Sequence, residues 1–93
     1  MVVASWYGPK FHGLTMANGQ RFDMYRLTVA HRTLPLGTKL VLINPRNGKK
    51  VKARVSDRGP YIHGRQLDVS YEVARQLHFV RRGVTRLEMQ VIG

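Results

Sequence analysis

Thr38-Lys39-Leu40-Val41-Leu42-Ile43-Asn44 and Lys50-Val51-Lys52-Ala53-Arg54-Val55-Ser56 stand on either side of Pro45-Arg46-Asn47-Gly48. Asn-Gly supplies the positive φ that a hairpin turn asks for, so the two runs read as paired antiparallel strands. In the second arm Val51, Ala53 and Val55 alternate with Lys50, Lys52 and Arg54. One face is therefore expected to be buried while the other carries cations to solvent.

The last strand repeats the device, with Leu87, Met89 and Val91 expected to point in and Arg86, Glu88 and Gln90 out. Val2 to Tyr7 reads as a first strand ended by Gly8-Pro9, and Leu27 to Ala30 as a short one. Ser70 reads as a helix N-cap, Glu72 as a first-turn acid, and Val73, Ala74 and Leu77 as one apolar stripe. One main helix is expected over about 70–78, with His78 near its end as a dipole-compensating cation when protonated. Six or so strands leave more edges than a small open sheet can expose, so closure into a barrel is the natural solution. An OB-fold, an SH3-like barrel and a double-psi barrel all satisfy this mainly β pattern.

Ninety-three residues without a cysteine are too few to divide, because each part would be too small to bury a core. A single domain over 1–93 and a monomer are expected. Sixteen Lys and Arg against five Asp and Glu give a formal charge of +11. Such a field attracts polyanions, and nucleic acid, anionic lipid and acidic envelope polymers would all satisfy it. The arginines are scattered rather than clustered, which argues against a basic tail, and no RNP or zinc-finger signature accompanies the aromatic residues. No nucleic-acid partner is expected. No run approaches the roughly 18 apolar residues of a membrane span, and no leader is visible, so in an exported protein this stretch would be a mature or trimmed form.

Candidate acids and bases are few. Glu72 and Glu88 have structural readings on the helix and on the outer face of the last strand. Asp57 opens Asp57-Arg58-Gly59-Pro60-Tyr61, a loop where glycine and proline fix the backbone and Asp, Arg and Tyr project. It reads either as a catalytic carboxylate or as a turn residue that satisfies neighbouring amides. Asp68, between Leu67 and Val69, reads as structural, because a buried carboxylate must be paired. Asp23, beside Phe22 and Met24, reads equally as a loop organiser or as the lining of a cleft. His12, His31, His63 and His78 lack metal-ligand spacing, and no metal or cofactor is expected. His31 reads as a structural histidine or as a partner for a carboxylate or a substrate. No Gly-x-Ser-x-Gly, P-loop or dinucleotide fingerprint occurs, and Asp-Arg-Gly is not the aspartic-protease triplet.

Five motifs in order carry a resemblance: Ala4-Ser5-Trp6-Tyr7-Gly8-Pro9 with Phe11-His12-Gly13; Ala17-Asn18-Gly19-Gln20-Arg21-Phe22-Asp23-Met24; Thr28 to Thr38; Asp57 to Tyr61; and Leu67-Asp68-Val69-Ser70. From about residue 3 to residue 92 the chain resembles the rare lipoprotein A family of septal-ring lytic transglycosylases. The resemblance implies a six-stranded double-psi β-barrel with a glycan groove across one face. It also implies an envelope location and a peptidoglycan substrate, cleaved between N-acetylmuramic acid and N-acetylglucosamine without water, on strands stripped of stem peptides. Asp57 matches the family's acid/base position, and His31 and Asp23 match groove positions. Tyr7 and Tyr61 are the candidate sugar contacts, with His12, Arg58 and Arg65 as further substrate-binding candidates. Gln20 departs from the family, which carries a glutamate there, and an amide cannot exchange a proton. The alternative is an expansin-like module that binds glycan without cutting it.

Overall fold

Strand β1 (Val2–Tyr7) leads to β2 (Thr28–Ala30), β3 (Lys39–Ile43), β4 (Lys50–Asp57), β5 (Leu67–Ser70), helix α1 (Tyr71–Gln76) and β6 (Val84–Val91). The computed structural model describes residues 1–7 and 10–93, so the Gly8-Pro9 pair expected to end the first strand lies outside the described residues. The strands close in the order β1-β5-β2-β4-β3-β6. β1 runs parallel to β5 and β2 parallel to β4, while the other four neighbours pair antiparallel. The result is the six-stranded double-psi β-barrel, and no edge is left to template association.

The hairpin forms as its sequence dictates. Leu40 faces Ala53 and Leu42 faces Val51 across the ladder, and Val51, Ala53 and Val55 are buried while Lys50, Lys52 and Arg54 are exposed. Gly48 turns at φ 74°, and its amide donates to the Asn44 carbonyl at 2.8 Å. Together with Val29, Leu67, Val69 and Leu87 these side chains fill the barrel, and α1 seals one end with Val73, Ala74 and Leu77.

Helix α1 is capped where Ser70 was expected to cap it, its hydroxyl accepting from the Val73 amide at 3.2 Å. It ends at Gln76, two residues short of the expected 78. The reason is a left-handed turn at His78, φ 60°, which a sequence without glycine there does not announce. The Phe79 amide reaches the Ala74 carbonyl at 3.0 Å and the His78 amide reaches Arg75 at 3.2 Å, closing the helix with a pair of crossed bonds. Asn44 and Asn47 of the hairpin turn both donate to the Leu77 carbonyl, at 2.8 and 3.1 Å.

Two further differences are local. β2 begins at Thr28 rather than Leu27, and Val91, expected to point in, is 55% exposed although it still pairs with Leu40 of β3. Between β1 and β2, the Leu14–Phe22 stretch doubles back on itself, a hairpin outside the sequence expectations although Asn18-Gly19 marks its turn, with Gly19 at φ 87°. Phe22 donates to the Leu14 carbonyl at 2.7 Å, Met16 to Gln20 at 2.7 Å, and Thr15 bridges Arg21. Met16, Phe22 and Met24 form a small second core under it, against Tyr7 and Tyr71.

Asn44 is 2% exposed and serves turn and helix at once, since its Oδ1 also accepts from the Arg46 amide at 3.0 Å. Replacing it with Ala removes both contacts while keeping the backbone. A loss of about 1–3 kcal/mol in unfolding free energy is expected, read as a lowered urea midpoint at unchanged slope.

Candidate active site

The alternation along β4 breaks just before the loop it feeds. Val29 of β2 faces Val55, but Ala30 faces Asp57, so Ser56 is an extra residue in the ladder and is buried next to buried Val55. A bulge of this kind re-aims the residue that follows it. Asp57 then joins three segments. Its Oδ1 accepts the Ala17 amide at 2.9 Å and the Arg58 amide at 2.8 Å, and its carbonyl accepts the His31 amide at 3.2 Å. The Asn18 amide donates to the Ser56 carbonyl at 3.2 Å, so the tip of the Leu14–Phe22 hairpin is stitched to the end of β4 by two bonds. Among the described residues Oδ2 receives no hydrogen bond. The turn-residue reading of Asp57 is thus realised on one oxygen, and the other is left for chemistry.

His31 lies in the strand-end loop. Its Nδ1 accepts amides from Thr33 at 3.2 Å and Leu34 at 3.1 Å, so the ring proton sits on Nε2. Burial, then Arg32 and Arg58, hold its pKa below the usual 6.5. Arg58 turns back onto this loop, donating from Nη1 to the carbonyls of His31 at 3.1 Å and Leu34 at 2.6 Å. Its guanidinium is committed to the scaffold even though the residue borders the site.

Two depressions lie at this end of β4, one bordered by Asp57 and the other by Ser56. A cavity of about 190 Å³ is bordered by Tyr7, Asp57, Arg58 and Asp68, with Phe11, Leu14, Met16 and Phe22 as its apolar wall. A wider groove of about 890 Å³ is bordered by His12, Gln20 and Asp23, with Arg21, Arg26 and Arg54. Met16 and Phe22 belong to both and form the divide. Tyr7, Asp57, Arg58 and Asp68 therefore fall on one side and His12, Gln20 and Asp23 on the other, while His31 borders neither. Asp23 does both things asked of it: it borders the groove, and its Oδ1 accepts the Tyr25 amide at 2.9 Å. His12 Nδ1 accepts the Met24 amide at 3.3 Å. Gln20 is exposed at the hairpin tip, where its amide donates to Asn18 Oδ1 at 2.9 Å. Tyr61 is 77% exposed and borders neither depression.

Asp68 has more than a structural surrounding. Ser5 donates its hydroxyl to Oδ1 in a short hydrogen bond, and Arg65 reaches that same hydroxyl at 3.4 Å. Burial nonetheless raises the carboxyl pKa above its usual value, with Ser5 and Arg65 pulling the other way. The Tyr7 hydroxyl is buried without a hydrogen-bond partner among the described residues. Burial, then the charges of Asp57 and Asp68, push its ionisation far up, so it is a neutral donor at any ordinary pH. Sequence reasoning overlooked Ser5, the groove arginines and the hairpin. Ser5 had a signal, its place in the first motif; the arginines were lost in the general basic charge. Among the described residues no three His, Asp or Glu side chains gather as a metal set.

Residues 1–89 match the family described as lytic transglycolase. The chain belongs to the RlpA family. It is 51% identical over 89 residues to the probable endolytic peptidoglycan transglycosylase RlpA of Aquifex aeolicus, covering 96% of this chain and 39% of that protein. Against the endolytic peptidoglycan transglycosylase RlpA of Pseudomonas aeruginosa it is 45% identical over 90 residues, covering 97% of this chain and 26% of the relative. This RlpA-family chain thus spans well under half of those relatives. In fold it is similar to the Streptomyces papain inhibitor, with a TM-score of 0.75 at 21% identity over 100% of this chain and 94% of the other. Cerato-platanin 3 from M. perniciosa superposes with a TM-score of 0.72 at 14% identity, over 99% and 93% of the two chains.

Two pH effects follow from this geometry. A histidine whose folded pKa lies below its unfolded one contributes stability that is present above pH 6.5 and is lost as pH falls through the folded value. Protonating Nδ1 would also cancel both amide bonds. NMR titration is expected to place the His31 midpoint below 6.5, with faster Thr33 and Leu34 amide exchange on its acid side. For Asp68 the sign is opposite. A raised carboxyl pKa means that folding binds a proton, so its contribution is present below the usual 3.8 and is lost as pH rises through the folded value. Asp68→Asn is therefore expected to raise Tm at pH 7, with the gain vanishing below pH 3.8.

Proposed function

We propose that this chain is a peptidoglycan lytic transglycosylase in which Asp57 moves the proton. The observation that carries the reading is the placement of Asp57: one carboxylate oxygen is locked by two backbone amides, the other takes no bond from the described residues, and the residue borders the small cavity while its neighbour Ser56 borders the wide groove. Membership in the RlpA family supports the substrate class. The reaction needs a single proton-transfer residue, whereas hydrolytic glycosidases need two carboxylates, because the nucleophile here is the sugar's own C6 hydroxyl. Protonated Asp57 gives its proton to the glycosidic oxygen as the bond from C1 of N-acetylmuramic acid breaks. The C6 oxygen then bonds to C1, and the resulting carboxylate takes the C6 hydroxyl proton. The products are a free N-acetylglucosamine 4-hydroxyl and a 1,6-anhydro ring, with no water consumed.

The wide groove suits a strand of sugars. Its Arg21, Arg26 and Arg54 face a polymer that carries lactyl carboxylates once stem peptides are gone, which fits action on denuded strands. Such a substrate places the chain in the cell envelope. Gln20 borders this groove where the family carries glutamate, and it favours a second reading in which the domain binds glycan without cutting it.

Mass spectrometry of products from amidase-stripped peptidoglycan separates the two readings. Anhydro-ended fragments are expected from the chain as it stands, and Asp57→Asn is expected to lower their rate by about 100-fold or more. Binding without products, unchanged in Gln20→Glu, would instead establish the binding module, whereas cleavage appearing only in Gln20→Glu would identify an enzyme disabled by its amide. If Asp57→Asn cleaves at the unmodified rate, the assignment of Asp57 is wrong.

A further inference from the structure

The cavity of about 190 Å³ is smaller than the roughly 300 Å³ at which pockets begin to enclose whole drug-sized ligands. Its chemistry is two-sided. Phe11 and Leu14, 46% and 56% exposed, offer apolar surface that the fold itself does not cover, and Phe22 lies behind them. The same cavity is bordered by the buried Tyr7 hydroxyl, which donates to no described residue, and by the Asp68 carboxylate, whose Oδ2 accepts from no described residue. A buried hydroxyl without a partner is costly, and a ligand oxygen removes that cost.

We propose that this cavity is an acetamido pocket, holding the N-acetyl group of a hexosamine with the Tyr7 hydroxyl donating to its carbonyl oxygen, Asp68 accepting from its N–H, and its methyl against Phe11 and Leu14. The proposal rests on the glycan reading above and adds which sugar substituent is recognised, and where. Three features converge on it. An acetamido group presents one acceptor, one donor and one methyl, the complement of the three surfaces present. It sits on C2, the carbon next to the C1 at which the bond breaks, and Asp57 belongs to the wall of this same cavity. Ser5↔Asp68 and Tyr7↔Ser70 are register pairs of β1 and β5, so the donor and the acceptor stand two rungs apart on one parallel ladder rather than on loops.

Neutral oligosaccharides isolate the substituent from charge. Chitotetraose carries the acetamido group at every C2, and cellotetraose carries a hydroxyl there. NMR titration is expected to show chitotetraose binding about tenfold or more tightly than cellotetraose, with Leu14 and Met16 methyl shifts from the former alone. Tyr7→Phe keeps the ring stacked on Phe22 at 4.5 Å and is expected to bring the ratio close to one. Equal binding of the two sugars by the unmodified chain would overturn the pocket, as would a preference that survives Tyr7→Phe in a folded variant. If neither sugar nor denuded peptidoglycan binds, the glycan reading itself fails and the pocket fails with it.

Discussion

Asp57 Oδ1 receives two backbone amides, one from its own loop and one from the tip of the Leu14–Phe22 hairpin. With the Ser56 carbonyl, that oxygen fixes where the hairpin tip lies, and the hairpin carries Met16 and Phe22, the divide between cavity and groove. Remove the carboxylate and the Ala17 amide loses its partner, so the wall of both depressions is no longer fixed. The residue that carries the proposed chemistry is therefore also the one that shapes its surroundings. The Ser56 bulge makes this possible by placing Asp57, rather than the residue before it, opposite Ala30.

The site divides labour between charge and burial. On the groove side, arginines and amides stand in solvent, where they steer and orient but bind each group weakly. On the cavity side, Tyr7 and Asp68 lie in a low-dielectric setting, where one hydrogen bond discriminates strongly because an unmade one is expensive. His31 borders neither depression, and Arg58 borders the cavity without turning its guanidinium to it. They spend their hydrogen bonds on the 31–34 loop, and in doing so they keep the end of β4 in place.

Much of the barrel was legible because its signals are local. Alternation along Lys50–Ser56, the Asn47-Gly48 turn and the Ser70 cap each act within a few residues. The helix end was not legible, since His78 occupies a left-handed turn that is held by side chains from a distant hairpin rather than by a glycine. The second core was missed for another reason: Asn18-Gly19 marks the turn, but the arms around it are too short and too polar to read as strands, and Met16, Phe22 and Met24 meet once the tip is anchored by Asp57 and Ser56. Within the site, Asp57 could be singled out by its loop. Asp68 looked merely structural, because its neighbours Leu67 and Val69 are core residues. What distinguishes it is the Ser5 hydroxyl and the Tyr7 ring across the ladder, partners that residue order does not disclose.

Strand β1 is the first strand of the barrel in chain order, yet its two ladder partners, β5 and β6, come from the last third of the 93 residues. A nascent polypeptide leaving a ribosome or a translocation channel has no ladder partner for β1 until almost all of this domain has emerged. Folding of the domain accordingly waits for its last strand and is dominated by non-local pairing, of the kind that proceeds slowly in small β proteins. Any fragment that stops short of β6 presents open strand edges, so truncation of this domain yields aggregation-prone material rather than a smaller working unit.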